Sequence, residues 1–193
     1  MRLFIASWFP ESVMRGILSL SLALRKEPSI PQGRWMGRDN LHMTLRFLGE
    51  VPSPRLGSVK ASCRESSLRS SSCRIKLGGL GAFPRWNSAK VLVWKLQDDA
   101  GLKKIADNLS RQLEKSRIGF DKKPFKGHVT LARFSEPVNL SSLTGRFTDI
   151  RAAIDVPEFA VDSFALIKSE LTRSGAIYKE LEKYCIGVNN SAI

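Results

Sequence analysis

Apolar residues recur at helical spacing in two stretches of the chain. A spacing of three or four residues places side chains on one face of a helix, which can then pack against a core. The two stretches are Val13, Ile17, Leu20 and Leu24, and Leu102, Ile105, Ala106, Leu109 and Leu113. We predict an amphipathic helix for each, with weaker helices at 56–63 and 140–147.

Segments rich in apolar residues and bounded by Gly, Pro or Asn predict strands. The predicted strands are Arg2–Trp8, Leu41–Leu48, Arg74–Leu80, Lys90–Leu96, Gly127–Phe134, Phe159–Ile167 and Ala176–Ile186, the last two as a closing pair. The serine-rich stretch Ser66–Ser72 is predicted to be a loop. Because strands and helices mix without strict alternation, the predicted fold class is α+β.

The composition is that of a compact folded chain with a large excess of positive charge. Of the 193 residues, 42% are hydrophobic, so the chain can hold a core without disulfides or structural metal. Lysine and arginine number 31 against 18 acidic residues, which gives a net charge of +13. Such an excess favours polyanionic partners such as RNA, DNA, nucleotides or anionic lipid.

The cysteines and the hydropathy pattern indicate a cytoplasmic protein. The three cysteines, Cys63, Cys73 and Cys185, are odd in number and form no C-x-x-C pair. This argues against a secreted disulfide framework and a zinc ribbon, and it fits a reducing compartment. The longest apolar stretch, Gly16–Leu24, is well short of the roughly 18 residues that cross a bilayer. We therefore expect no membrane partner.

The chain contains two histidines, and their surroundings nearly repeat. His42 and His128 each begin an H-x-T-L segment, and they lie 86 residues apart. Because side chains alternate across a strand, each histidine shares a face with its threonine, Thr44 or Thr130. If the two strands lie side by side, both imidazoles and both hydroxyls enter one cleft.

A pair of imidazoles suits the cleavage of a phosphodiester without a metal ion. With an unperturbed pKa of about 6.5, one ring can act as a base while the other acts as an acid near pH 7. The threonine hydroxyls can donate to the non-bridging oxygens, and Arg46 and Arg133 can add bidentate contacts to phosphate. Two histidines without neighbouring carboxylate or cysteine ligands do not make a three-ligand zinc site, so we expect no metal and no cofactor.

Aromatic residues stand beside basic ones near both motifs, as Phe47 does beside Arg46. Single-stranded RNA is bound in this way, by stacking of bases on rings and attraction of phosphates. For Phe47, a place in the core is as consistent with the sequence as contact with RNA.

These ordered motifs resemble the two-histidine (2H) phosphoesterases, and most of all their RNA 2',3'-cyclic phosphodiesterase branch, also called 2'-5' RNA ligases. The resemblance covers most of the chain and includes segments on either side of both histidines. Those segments are Met1–Ala6, Arg34-Trp35, Phe47–Glu50, Gly81–Pro84, Pro124-Phe125, Gly127–Arg133 and Leu166–Tyr178, the last similar to the family's closing hairpin.

The resemblance implies a bilobal α+β fold and a reaction. Two pseudo-two-fold lobes, of mainly antiparallel sheet with flanking helices, would interleave in one domain, residues 1–193, around a central active-site groove. The implied reaction is hydrolysis of RNA 2',3'-cyclic phosphate ends to 2'-phosphates, with reversible 2'-5' RNA ligation as a second capability. His42 would be the acid and His128 the base.

The resemblance also implies a set of substrate-binding residues and partners. Thr44 and Thr130 would hold the phosphate with Arg133 beside them, and Tyr178 of the closing hairpin joins the candidate substrate-binding residues. The implied partner is RNA with a cyclic phosphate end, tRNA fragments included. We expect a cytoplasmic monomer.

Two other functions remain open at this point. One is a module that binds RNA ends or nucleotides without turnover, and the other is a phosphodiesterase for a small cyclic nucleotide. The chain departs from the family pattern at Trp8, where an acidic residue often follows the first strand. It departs again at Gly127, where proline often precedes the second histidine. Both departures leave the cleft shape and the substrate preference open.

Overall fold

The described part of the chain forms four α-helices and ten strands. In the computed structural model, residues 1–152, 154, 156–172 and 175–187 are described. The helices are α1 (Glu11–Arg25), α2 (Leu56–Leu68), α3 (Ala100–Lys115) and α4 (Leu143–Ala152). The strands are β1 (Arg2–Ser7), β2 (Arg34–Trp35), β3 (Met43–Glu50), β4 (Cys73–Ile75), β5 (Leu77–Phe83), β6 (Ala89–Leu96), β7 (His128–Val138), β8 (Phe159–Val161), β9 (Ser163–Thr172) and β10 (Gly175–Cys185).

Two four-stranded antiparallel sheets carry the two histidine motifs. One sheet has the strand order β10-β9-β1-β3 and the other β2-β7-β6-β5, while β4 and β8 form a separate pair. The first motif runs into β3 and the second begins β7. One hydrophobic core joins residues of both sheets and of the helices. This arrangement confirms the predicted α+β class.

The two amphipathic patterns form helices as predicted. The apolar residues of α1 named above have no solvent exposure, and those of α3 are equally buried. Each valine, isoleucine or leucine side chain among them contributes about 1.5–3 kcal/mol when it leaves water. Helix α3 packs on α2 and on β3, which places it behind the first histidine motif. No helix among the described residues has both the length and the apolar character needed to span a bilayer.

Three segments differ from the sequence expectation. The serine-rich stretch is helical as far as Leu68, because Ser66 and Ser67 are buried on the packed face of α2, where the hydroxyl of Ser67 donates to the carbonyl of Arg64 at 2.8 Å. The predicted strand 74–80 is two strands, since β4 pairs with β8 and β5 pairs with β6. The predicted strand 159–167 is likewise divided between β8 and β9.

The two motif strands share an irregularity that decides which residues face the site. The pairing of β3 with β1 skips Leu45, and the pairing of β7 with β6 skips Leu131. An extra residue in one strand reverses the alternation of faces beyond it. Residues 42–48 and 128–134 consequently follow the same sequence of buried and exposed positions.

Candidate active site

The two histidines are anchored in the same way by the backbone just before them. Nδ1 of His42 lies 2.8 Å from the carbonyl oxygen of Asn40, and Nδ1 of His128 lies 2.7 Å from that of Lys126. A carbonyl oxygen only accepts, so Nδ1 of each neutral ring carries the hydrogen. Nε2 is therefore the basic nitrogen of both rings.

Burial is the largest cause that lowers the pKa of both histidines. The pKa of His42 falls from 6.5 to about 4: burial lowers it most, the bond to the backbone of Asn40 raises it, and the positive charges of Arg133 and, when protonated, of His128 contribute to the fall. The pKa of His128 is also lowered, by burial first and then by Arg133. Arg133 of β7 thus lowers the pKa of both histidines, and both rings are neutral at pH 7 in the free protein.

Aromatic side chains surround the first histidine. The ring centroid of His42 lies 5.0 Å from that of Phe4, 6.0 Å from Trp8 and 5.3 Å from Tyr178, the last two edge-on. Trp8 is fixed by its Nε1, which donates to Glu180 at 2.8 Å. The tryptophan that departs from the family pattern therefore forms part of the wall that excludes water from His42.

The second histidine has a more open setting. Its ring meets one aromatic side chain, Phe83, edge-on with the centroids 5.2 Å apart. The N–H of Gly127, just before it, donates to a carboxylate oxygen of Asp99 at 2.8 Å. A proline here has no N–H to donate, and a Cβ would lie 2.5 Å from Cδ1 of Leu96 and 2.8 Å from Cβ of Asp99, so these contacts account for the glycine.

The threonines follow the histidines on the same face of each strand. Oγ1 of Thr44 lies 3.1 Å from Nε2 of His42, so its hydroxyl donates to the bare ring nitrogen. Thr130 occupies the matching position in β7 and is half-buried like Thr44. Two hydroxyls thus stand beside two imidazoles.

Three adjoining cavities, of about 580, 370 and 440 Å³, form a groove. The first is bounded by arginines and by Tyr178, and the second by Thr44, His128 and several phenylalanines. The first and second share Phe47 and Asp121, while the second and third share His128 and its neighbours. The groove therefore has one part with three arginines and a second part in which Thr44 and His128 lie among phenylalanines.

The irregularity at Leu45 exchanges the expected places of Arg46 and Phe47. Arg46 is buried toward α3, where its guanidinium donates to Ser110 Oγ at 2.6 Å and to Asp107 at 3.3 Å. These donors are therefore already used by protein groups. The predicted contact of Arg46 with phosphate stays a prediction. Phe47 is 48% exposed and borders two of the cavities, which favours contact with a ligand over a place in the core.

Sequence reasoning named Tyr178 but missed the contacts of Phe4 and Trp8 with His42, and it missed two of the groove arginines. Phe4 was detectable, because β1 carries apolar residues at consecutive positions, which indicates a strand buried on both faces. Arg2 and Arg34 line the first cavity together with Arg133. No local pattern marks them, since they come from three strands far apart in the sequence.

The neutral His42 makes the free energy of unfolding depend on pH. Its pKa is about 4 in the folded chain and near 6.5 when unfolded, so below pH 6.5 the unfolded chain binds more protons. Stability should therefore fall as the pH drops from 6.5 toward 4, by about 2 to 3 kcal/mol from this group. Urea titrations of the native protein and of His42→Asn measure the difference. Equal pH dependence in both proteins would contradict the low pKa.

Comparison with known families assigns the class of protein that this fold and groove define. The sequence model of the LigT-like phosphoesterase family matches residues 8–93 and 96–178. The chain belongs to the LigT-like phosphoesterase family, as the repeated histidine motif predicts.

Named relatives and solved structures agree with this assignment. The chain is 38% identical over 144 residues to an RNA 2',3'-cyclic phosphodiesterase of Aeropyrum pernix, across 74% of this chain and 80% of that protein. It is 33% identical over 196 residues to one of Thermus thermophilus, across 96% and 90%. A crystal structure of a Thermus thermophilus protein superposes with a TM-score of 0.77 at 30% identity, across 97% and 98% of the chains. The crystal structure of E. coli LigT complexed with NADP+ superposes with a TM-score of 0.69 at 26% identity, across 96% of each chain.

Proposed function

We propose that the protein hydrolyses RNA 2',3'-cyclic phosphate ends to 2'-phosphomonoesters without a metal ion. The observation that carries the proposal is the matched pair of imidazoles, each anchored through Nδ1, whose motifs meet in one groove, where Thr44 and His128 line the same cavity. The relatives named RNA 2',3'-cyclic phosphodiesterases support RNA as the substrate. The excess of positive charge fits a polyanion.

In the proposed reaction, one histidine activates water and the other protonates the leaving oxygen. His128 takes a proton from water as the water oxygen bonds to phosphorus, and the bond from phosphorus to the 3'-oxygen breaks. His42 gives its proton to that oxygen, which leaves as the 3'-hydroxyl. The product keeps the phosphate on the 2'-oxygen. If a 5'-hydroxyl of RNA took the place of water, the same steps would form a 2'-5' bond.

The phosphate itself is proposed to prepare His42 for its role as the acid. In the free protein His42 is neutral at pH 7, and Thr44 donates to its Nε2. A bound phosphate brings negative charge beside the ring, which favours the protonated form. Protonated Nε2 becomes a donor, so the hydroxyl of Thr44 is released to a non-bridging oxygen, opposite Thr130 and near Arg133. We propose that these steps occur in a cytoplasmic monomer.

Incubation with a short RNA that ends in a 2',3'-cyclic phosphate tests the proposal. We expect conversion to the 2'-phosphate alone, at a rate that EDTA does not change. The same RNA with a linear 3'-phosphate is the control and should remain intact. A 3'-phosphate product, or loss of activity with the chelator, would contradict the mechanism. Tight binding with an intact cyclic end after long incubation would favour the binding module instead.

A further inference from the structure

Three guanidinium groups converge on the cavity that adjoins the histidine site. Arg2, Arg34 and Arg133 line this cavity of about 580 Å³, and they reach it from β1, β2 and β7. Arg34 and Arg133 are direct partners across β2 and β7. None of the three forms an ion pair within the described part of the chain. Their charge is therefore available to a ligand.

One carboxylate stands on the same wall and does not cancel this charge. Asp121 is the acidic residue among the described residues that line the cavity. It accepts the backbone N–H of Lys123 at 3.0 Å and pairs with the Nζ of the same lysine at 3.3 Å. This lysine balances Asp121, so the three arginines leave the cavity with a net positive charge.

Arg34 is held at this position by the closing hairpin. Its guanidinium lies against Gly175 at the start of β10, and a Cβ on that residue would collide with it. Gly175 also has a φ of +137°, a conformation that other residues rarely adopt. The glycine thus leaves room for Arg34 to lie across the hairpin at the wall of the cavity.

A single cyclic phosphate does not account for three arginines. The cyclic ester carries one negative charge, and Arg133 is the arginine whose charge reaches both histidines. Arg2 and Arg34 remain, and paired arginines are suited to bidentate contact with phosphate oxygens. A cavity of this volume is large enough for a nucleotide.

We propose that Arg2 and Arg34 bind a second phosphate of the substrate, the phosphodiester on the 5' side of the terminal nucleotide. This rests on the proposed function and deepens it. The enzyme then acts on oligonucleotide ends in preference to cyclic mononucleotides, because the upstream linkage adds a charged contact that a mononucleotide lacks. Tyr178, on the same cavity, offers a ring for the upstream base.

Four substrates with the same terminal base separate the contribution of the second phosphate. They are 2',3'-cyclic CMP, its 5'-phosphorylated form, the dinucleotide ApC with a cyclic end, and that dinucleotide with an uncharged methylphosphonate linkage. We expect kcat/KM for the charged dinucleotide to exceed that for cyclic CMP by about tenfold or more, as one charged contact provides. The methylphosphonate should lose most of this gain. If the 5'-phosphorylated mononucleotide equals the dinucleotide, the preference for oligonucleotides is overturned.

Variants then assign the effect to the arginines. The ratio of kcat/KM for dinucleotide over cyclic CMP should fall about tenfold in Arg34→Gln and in Arg2→Gln, and Arg34→Lys should keep part of it. Arg111→Gln, which removes the same charge from the exposed face of α3, is the matched control and should leave the ratio unchanged. An unchanged ratio in both groove variants would overturn the proposal.

Failure of this proposal can be told from failure of the proposed function. If no cyclic substrate is turned over, the proposed function fails. Equal turnover of mononucleotide and dinucleotide leaves that function standing and removes only the second-phosphate site.

Discussion

Replacement of His128 or His42 by asparagine is expected to lower kcat for the cyclic end by about 10²- to 10⁴-fold. This equals about 2.7 to 5.4 kcal/mol of barrier. The amide nitrogen of asparagine can keep the bond to the carbonyl of Lys126 or Asn40, but it offers no basic atom in place of Nε2. The substitution thus removes the proton transfer and retains the local anchor. Single-turnover rates with the cyclic RNA measure the loss.

Two controls separate this loss from damage to the fold. The urea midpoint near pH 7.5, where both histidines are neutral, should stay close to that of the native protein. The double variant should be little slower than either single variant, because the two groups act together in one step. A histidine variant that turns over within threefold of the native rate would remove that residue from the mechanism.

Replacement of Thr130 or Thr44 by valine is expected to lower kcat by about 10²-fold each. Valine has the shape of threonine without the hydroxyl, so the change removes one donor to the oxygen that gains charge in the transition state. Serine at the same position keeps the hydroxyl and should retain most of the activity. The measurement is kcat at saturating cyclic RNA for the valine and serine forms of each position.

The two threonines should differ in the pH dependence of kcat/KM. The hydroxyl of Thr44 donates to Nε2 of His42 and so favours the neutral ring. Its loss in Thr44→Val should raise the pKa of His42 in the free protein and move the profile to higher pH, whereas Thr130→Val should leave the profile in place. Identical profiles in the two valine variants would contradict the role assigned to the Thr44 hydroxyl.

Much of this structure follows from short-range patterns in the sequence. The stripes at 13–24 and 102–113 form α1 and α3, and both histidine motifs lie at the start of antiparallel strands. These features are predictable because each depends on residues a few positions apart. The division of residues 74–80 into β4 and β5 was not predictable. It depends on pairing with β8, which comes some 80 residues later.

The exchanged positions of Arg46 and Phe47 show a second limit of prediction from the sequence. Strict alternation along β3 puts Arg46 beside His42, and the skipped Leu45 puts Phe47 there instead. No glycine or proline marks this position, so composition does not reveal it. Arg2 and Arg34 were not predicted for another reason, because they meet Arg133 only through strands that are remote in sequence. The net charge of +13 indicated a polyanion but not where it binds.

One strand geometry is repeated around both histidines. Each ring is bonded through Nδ1 to a backbone carbonyl. Each is followed by a threonine and then by a leucine that the strand pairing skips, Leu45 or Leu131. What distinguishes the two sites is their surroundings, since three aromatic rings and the Thr44 hydroxyl lie beside His42, whereas Phe83 is the ring in contact with His128. The proposed division into acid and base therefore depends on these surroundings and on the Thr44 bond, so a change at Trp8 or Phe83 should alter the pKa of one ring while its backbone anchor stays in place.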